Sequence, residues 1–175
     1  MAEFLKTKLG IDHKFNPNSK RHFLNKTQSV YHCHHYSTLY TQLAIDAGET
    51  ELLANASEDS IHEVLSKYFR ENNITDIDER VQISCKYYSA MGLGTLDVQF
   101  MGNDSGKVVS KSSHLEEGWI KKWKKFDQSV NYIGCGYVSA LLAAVLDKPA
   151  GTYKTFESAS IVKGDPHTVF NSYKK

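Results

Sequence analysis

The stretch from Val130 to Tyr173 limits the possible folds more than any other part of this chain. Val130 to Leu146 is a long apolar run of helical character. Lys148-Pro149-Ala150-Gly151 closes it, because Pro does not continue a helix and Gly accepts the left-handed backbone at a helix end. Two strand-like segments follow, Thr152 to Val162 and Thr168 to Tyr173, joined by the turn former Lys163-Gly164-Asp165-Pro166. A helix that runs straight into a hairpin calls for an antiparallel sheet with helices laid on it.

The upstream sequence extends that pattern. Residues 1–27 are polar and irregular, with a turn signal at Asn16-Pro17-Asn18, and are expected to form an N-terminal arm ahead of one domain spanning 28–175. From Ser29 the pattern turns helical: His32, Tyr36, Leu39 and Leu43 recur at i, i+4, i+7 and i+11 until Gly48. A second helix is predicted from an N-cap at Ser57 to Asn72-Asn73, with Ile61, Val64, Leu65 and Tyr68 inward. A third is predicted from Asp76 to Met91, anchored by Ile77, Val81, Ile83 and Tyr87. Gly92 and Gly94 end it. Thr95 to Met101 then alternates as a strand with Leu96, Val98 and Phe100 on one face, Gly102 to Gly106 is a turn, and Lys107 to Ser113 pairs back. Leu115 to Phe126 reads as a short helix. The order predicts an α+β fold with an antiparallel sheet of about four strands covered by helices. With no GxGxxG and no P-loop, a dinucleotide or nucleoside triphosphate site is not expected.

At 175 residues the chain is long enough for one domain with its own core. A formal charge of +1 offers no field for nucleic acid, and no apolar run reaches bilayer length. The N-terminus lacks a signal-peptide pattern, and three cysteines without a CxxC fit free thiols in a reducing compartment, so the expected location is cytoplasmic.

The run Asn131-Tyr132-Ile133-Gly134-Cys135-Gly136-Tyr137, followed by a strand with Glu157, then Lys163-Gly164-Asp165-Pro166 and a strand ending in Phe170, resembles the core of 4-vinyl-reductase-type small-molecule-binding domains. The resemblance implies binding of hydrocarbon-like or aromatic ligands, a sensory role of the kind played in phenol-responsive regulators, and a fold shared with nitric-oxide sensors and a vesicle-trafficking subunit. Related domains often pair, which implies a homodimer. Ser113-His114-Leu115-Glu116-Glu117-Gly118-Trp119 gives a second resemblance, to 2-amino-thiazoline-4-carboxylate hydrolase-like proteins. Domains of the phenol-sensing type hold zinc with one Glu and three Cys. Here Glu157 keeps the glutamate position, Ser160 and Thr168 stand at two cysteine positions, and the third falls near Asp127. Hydroxyls are poor zinc ligands beside thiolates, so the family's zinc is not expected, and the cofactor is otherwise open.

His32-Cys33-His34-His35-Tyr36 is the densest group of reactive side chains. On a helix, His32 and His35 share a face with Tyr36, where they can meet a ligand, a metal or a haem, and His34 points away. A pair of core histidines is the plainer alternative. Cys33 beside imidazoles and Cys135 between two glycines at a helix start are candidate nucleophiles, with His35 or His114 as the base; packing as small hydrophobes is the alternative for both. Glu157 needs a partner if buried. Trp119 can wall a pocket or pack on the sheet. Two functions follow: a binding domain for a small, mostly apolar or aromatic molecule, contacted by His32, Tyr36, Trp119 and Glu157, or a hydrolase of a small cyclic amide-like substrate using Cys33 or Cys135.

Overall fold

The structure is a computed structural model that describes residues 12–30 and 32–175. The chain divides into two compact units between residues 32 and 33. In the first, strands β1 (His13–Asn16), β2 (Arg21–Leu24) and β3 (Thr27–Ser29) make an antiparallel sheet in that order. An irregular arm was expected there; residues 1–11 of it lie outside the described residues. The strands escape sequence reading because HKFN, RHFL and TQS are short and show no alternation of apolar with polar residues. Local chemistry makes the turns instead. Asn16 Oδ1 accepts from Asn18 N and Ser19 N, and Asn25 and Lys26 take φ of 48° and 68°, as a two-residue hairpin turn requires.

The second unit contains α1 (His34–Ala47), α2 (Thr50–Glu71), α3 (Ile77–Ala90), β4 (Asp97–Met101), β5 (Ser105–Ser110), α4 (His114–Trp123), α5 (Tyr132–Val145), β6 (Tyr153–Ala159), a 3-10 turn at Ile161–Lys163 and β7 (Thr168–Lys174). The expected α+β architecture is present: a four-stranded antiparallel sheet ordered β4-β5-β7-β6, with helices packed on it. The last strand, β7, lies between its own hairpin partner and β5, which joins the two hairpins into one sheet.

Helix α5 is the centre of the unit. Every residue from Gly134 to Val145 is buried, as an all-round apolar helix must be. It packs along α2, and Gly136 permits the approach: a Cβ there would lie 2.1 Å from the Ala54 carbonyl oxygen. Tyr137 Oη donates to the Ser84 carbonyl at 2.7 Å and ties α5 to α3.

Two expectations need correction. Helix α2 starts at Thr50, not at Ser57. Ser57 is inside it, and its hydroxyl donates to the Ile133 carbonyl at 2.9 Å, a tertiary bond in place of a cap. In β4, Phe100 does not share a face with buried Leu96; it is 54% exposed, because a register shift between Val98 and Phe100 changes the side that follows. Among the described residues no helix is long and apolar enough to cross a membrane.

Candidate functional site

The histidine-rich segment folds in a different phase from the one expected. Cys33, with φ −73° and ψ 162°, is the N-cap of α1, so His32 precedes the helix and shares no helical face with His35. The inward face is His34, Thr38 and Thr41, while His35, Tyr36, Leu39 and Leu43 are exposed. Thr38 Oγ1 donates to the His34 and His35 carbonyls and Thr41 Oγ1 to Ser37, so the small hydroxyl side chains are satisfied within the helix and can be buried. Gly118 on α4 receives this face; a Cβ on it would lie 2.6 Å from His34 Cβ. The rings of His34 and His35 are 4.2 Å apart, and those of His34 and His114 5.8 Å. Partial burial, then the charges of His35, Lys121 and His114, hold the His34 pKa below its usual value. Among the described residues no three His, Cys, Asp or Glu side chains group to hold a metal.

A buried polar knot lies at the other end of α4. Glu116 is fully buried in the first turn, which Ser113 caps. Its Oε1 accepts from Ser160 Oγ at 2.7 Å and from Val162 N at 3.4 Å. Thr168 Oγ1 lies 2.6 Å from Oε2 and 2.8 Å from Oε1, and Asn131 Nδ2 donates to Oε2 at 3.2 Å. From the sequence Glu116 reads either as an acid–base group at a pocket edge, with His114 and Glu117, or as a carboxylate at a helix N-terminus, and neither reading foresees a buried hydrogen-bond acceptor. Ser160 and Thr168 thus present hydroxyls aimed at a carboxylate, and hydroxyls are poor zinc ligands beside thiolates.

Beside this knot, α2, α5 and β6 enclose a cavity of about 360 Å³. Ala54, Tyr132, Cys135, Gly136, Tyr153 and Phe156 form its apolar wall. Ser139, Thr155 and Ser172 form a buried hydroxyl chain with links of 2.8 and 2.7 Å, and the first two face the cavity. At the mouth Lys154 pairs with Glu51 at 3.2 Å. Glu58 accepts from Gly151 N at 2.8 Å; burial raises its pKa, and Lys175 opposes the rise. Glu157 lines the same cavity. Its Oε1 accepts from Asn131 N at 2.6 Å, whereas Oε2 is buried with no hydrogen-bond partner among the described residues. Burial, and next the negative charge of Glu116, push the Glu157 carboxyl up to about 7.

Of the residues singled out in the sequence, Cys135 and Glu157 come together in this cavity. His32, Cys33, His35 and Tyr36 are on or just before the exposed side of α1, and none of them lines the cavity. Trp119 belongs to a separate apolar cluster with Leu115, Val130 and Val162, and stacks on Trp123 and Phe126. The Trp119 Nε1 and the His114 Nε2 are buried with no hydrogen-bond partner among the described residues. Cys135 is a weak candidate for a nucleophile: burial, then Glu157 and Glu116, raise its pKa well above the usual thiol value and keep it neutral. The lining from α2 was missed, because Thr50, Ala54 and Asn55 carry no signal beyond helix propensity.

No known family model matches the chain, and no curated protein matches it by sequence. Solved structures do. The fold is similar to the phenol-responsive sensory domain of the transcription activator PoxR, solved with phenol, at a TM-score of 0.76 and 13% identity over 93% of this chain and 84% of that one. It is also similar to a trafficking protein particle complex subunit 3 from Naegleria fowleri, covalently bound to palmitic acid, at a TM-score of 0.53 and 14% identity over 80% and 90% of the two chains. At such identities the likeness establishes the fold alone. Neither likeness supports the hydrolase reading or a haem.

Proposed function

We propose that this chain is a small-molecule-binding domain whose ligand, with a mostly apolar or aromatic body, occupies the cavity between α2, α5 and β6, and that binding serves a sensory role. The observation that carries the reading is the cavity itself: its volume of about 360 Å³ lies in the range of roughly 300–1,000 Å³ common to small-molecule sites. Its wall combines aromatic and small apolar side chains with a few fixed polar groups, as such sites do. The ligands named for the two similar structures, phenol and palmitic acid, are both largely apolar and agree with that lining. The test is calorimetric titration of the purified chain with small neutral aromatics such as phenol and benzyl alcohol. The expected result is saturable binding that Ala54→Phe, which fills the cavity from α2, weakens more than about tenfold with the fold retained. Binding that ignores Ala54→Phe, or no binding of any aromatic, would overturn the reading.

A further inference from the structure

The charges around Glu157 are one-sided. The one charge that acts on it is Glu116 from α4, while Tyr132 and Cys135 from α5 and Tyr88 from α3 respond to Glu157 and are held neutral by burial. Of the two lysines of the cavity wall, Lys154 pairs with Glu51 and Lys175 acts on Glu58, and neither is among the groups that shift Glu157. Asn131 N donates to Glu157 Oε1 and the Ser129 and Ser160 hydroxyls lie close enough to favour its charged form, yet Oε2 has no hydrogen-bond partner among the described residues. Among the described residues Glu116 is held by hydroxyl and amide groups and by no cation. A buried carboxylate with a second carboxylate nearby and no countercharge is an expensive arrangement for a protein to keep, and a cation would relieve it. Tyr132, Tyr153 and Phe156 line the cavity together with Glu157, and aromatic rings attract cations as well as apolar groups.

We propose that the cavity takes a small organic amine, bound as its ammonium ion, with the charged nitrogen at the Glu157 carboxylate and the apolar body against Tyr132, Tyr153 and Phe156. The inference rests on the reading of this cavity as a ligand site and narrows its ligand class. Ammonium supplies both missing elements, a positive charge and a donor for Oε2, and it is selected over an alcohol of the same shape because an alcohol supplies only the donor. Association needs the ionised carboxylate. At acidic pH the ligand must displace a proton from Glu157, whose carboxyl lies at about 7, so affinity rises with pH through neutrality. It levels off at higher pH and falls only where the amine itself loses its proton, near about 10 for an alkylamine.

The test compares benzylamine with benzyl alcohol by calorimetry on the full chain, wild type and Glu157→Gln. Gln keeps an acceptor for Asn131 N and removes the charge. At pH 8 the amine is expected to bind wild type at least about tenfold tighter than the alcohol, and to lose about thirtyfold on going to pH 5.5 as Glu157 is protonated. In Glu157→Gln the two ligands should come within about twofold of each other at both pH values. If wild type binds both ligands equally, or if the preference for amine survives in Glu157→Gln, the amine proposal falls while the cavity reading stands. If neither ligand binds wild type, both fall.

Discussion

Glu157 and Glu116 are neighbouring carboxylates with different surroundings. Both oxygens of Glu116 accept hydrogen bonds, from hydroxyl, amide and backbone donors, while Glu157 Oε1 accepts from Asn131 N and its Oε2 has no hydrogen-bond partner among the described residues. The difference sets opposite consequences for substitution. The folded-state pKa of Glu157 is raised from the ordinary 4.5 to about 7, so the native state holds a proton there that the unfolded chain gives up. The penalty is absent below pH 4.5 and accumulates as pH rises to about 7, where the native carboxyl also ionises. Without ligand, wild type should therefore lose on the order of 2–3 kcal/mol relative to Glu157→Gln between these pH values, read by urea denaturation at each pH. Parallel pH profiles for the two proteins would refute this. Glu116 behaves in the other sense. Glu116→Leu strips the acceptor from Ser160, Thr168, Asn131 and Val162 N, all in the interior, and should cost about 3–5 kcal/mol in the same assay. Glu116→Gln keeps one acceptor oxygen and turns the other position into a donor facing donors, so its cost should be smaller, about 1–3 kcal/mol. Chelator treatment should leave wild-type stability unchanged, since this carboxylate and not a metal joins α4 to the β6–β7 turn.

At the scale of elements, packing of α1 on α4 through Gly118 sets two effects against each other. Ala is favoured over Gly in a helix interior by about 1 kcal/mol. At Gly118 the added Cβ would meet His34 Cβ at 2.6 Å and Thr38 Cγ2 at 3.3 Å, and both belong to a neighbouring helix that would have to move. Overpacking costs about 1–3 kcal/mol, so Gly118→Ala is expected to destabilise despite its better propensity, with faster hydrogen exchange in α1 as the local sign. A gain in stability with α1 exchange unchanged would show that the contact yields. The same contact shows why α1 was misread. Sequence periodicity selects the apolar residues, and Tyr36, Leu39 and Leu43 do lie on one side; that side is exposed, and the buried side is His34, Thr38 and Thr41. A glycine on a partner helix decides the phase, and nothing local to α1 reports it. Elsewhere local signals sufficed: Asp76 caps α3 by accepting from Glu79 N at 2.8 Å, and the turn expected over Gly102 to Gly106 joins β4 to β5 at residues 102–104, with Ser105 and Gly106 already in β5. Both strands of the β6–β7 hairpin were legible because their turn residues and alternation agree. In the candidate site, Glu157 was legible as a carboxylate in an apolar strand, whereas the cavity that gives it a role depends on α2, whose lining residues have no distinguishing chemistry.

At the scale of the whole 33–175 unit, α5 is the element against which the others are placed. Its side chains are apolar and buried, so its backbone end groups become the exposed question: the last carbonyls of a buried helix need donors. Backbone N–H groups of Leu146, Lys148 and Asp147 donate to the Leu142, Ala143 and Ala144 carbonyls, and the donor for Val145 comes from Arg80 of α3. The residue is 8% exposed; its Nη1 donates to the Val145 carbonyl at 3.0 Å and pairs with Asp147 at 2.8 Å, and its Nε donates to the Ile74 carbonyl at 2.9 Å. One guanidinium thus closes the C-terminus of α5 and fixes the turn that leads into α3, while its plane lies 5.3 Å from the Phe69 ring of α2. Asp147 is largely exposed, so the ion pair itself adds little; the backbone bonds carry the cost of removal. Arg80→Ala should therefore destabilise by about 2–4 kcal/mol, and Asp147→Ala by less than about 1 kcal/mol. Arg80→Lys separates the two contributions, since an ammonium keeps the charge but lacks the planar fork that reaches the Ile74 and Val145 carbonyls together. Denaturant titration should place Arg80→Lys close to Arg80→Ala. A lysine variant as stable as wild type would show that charge alone holds α3 to α5.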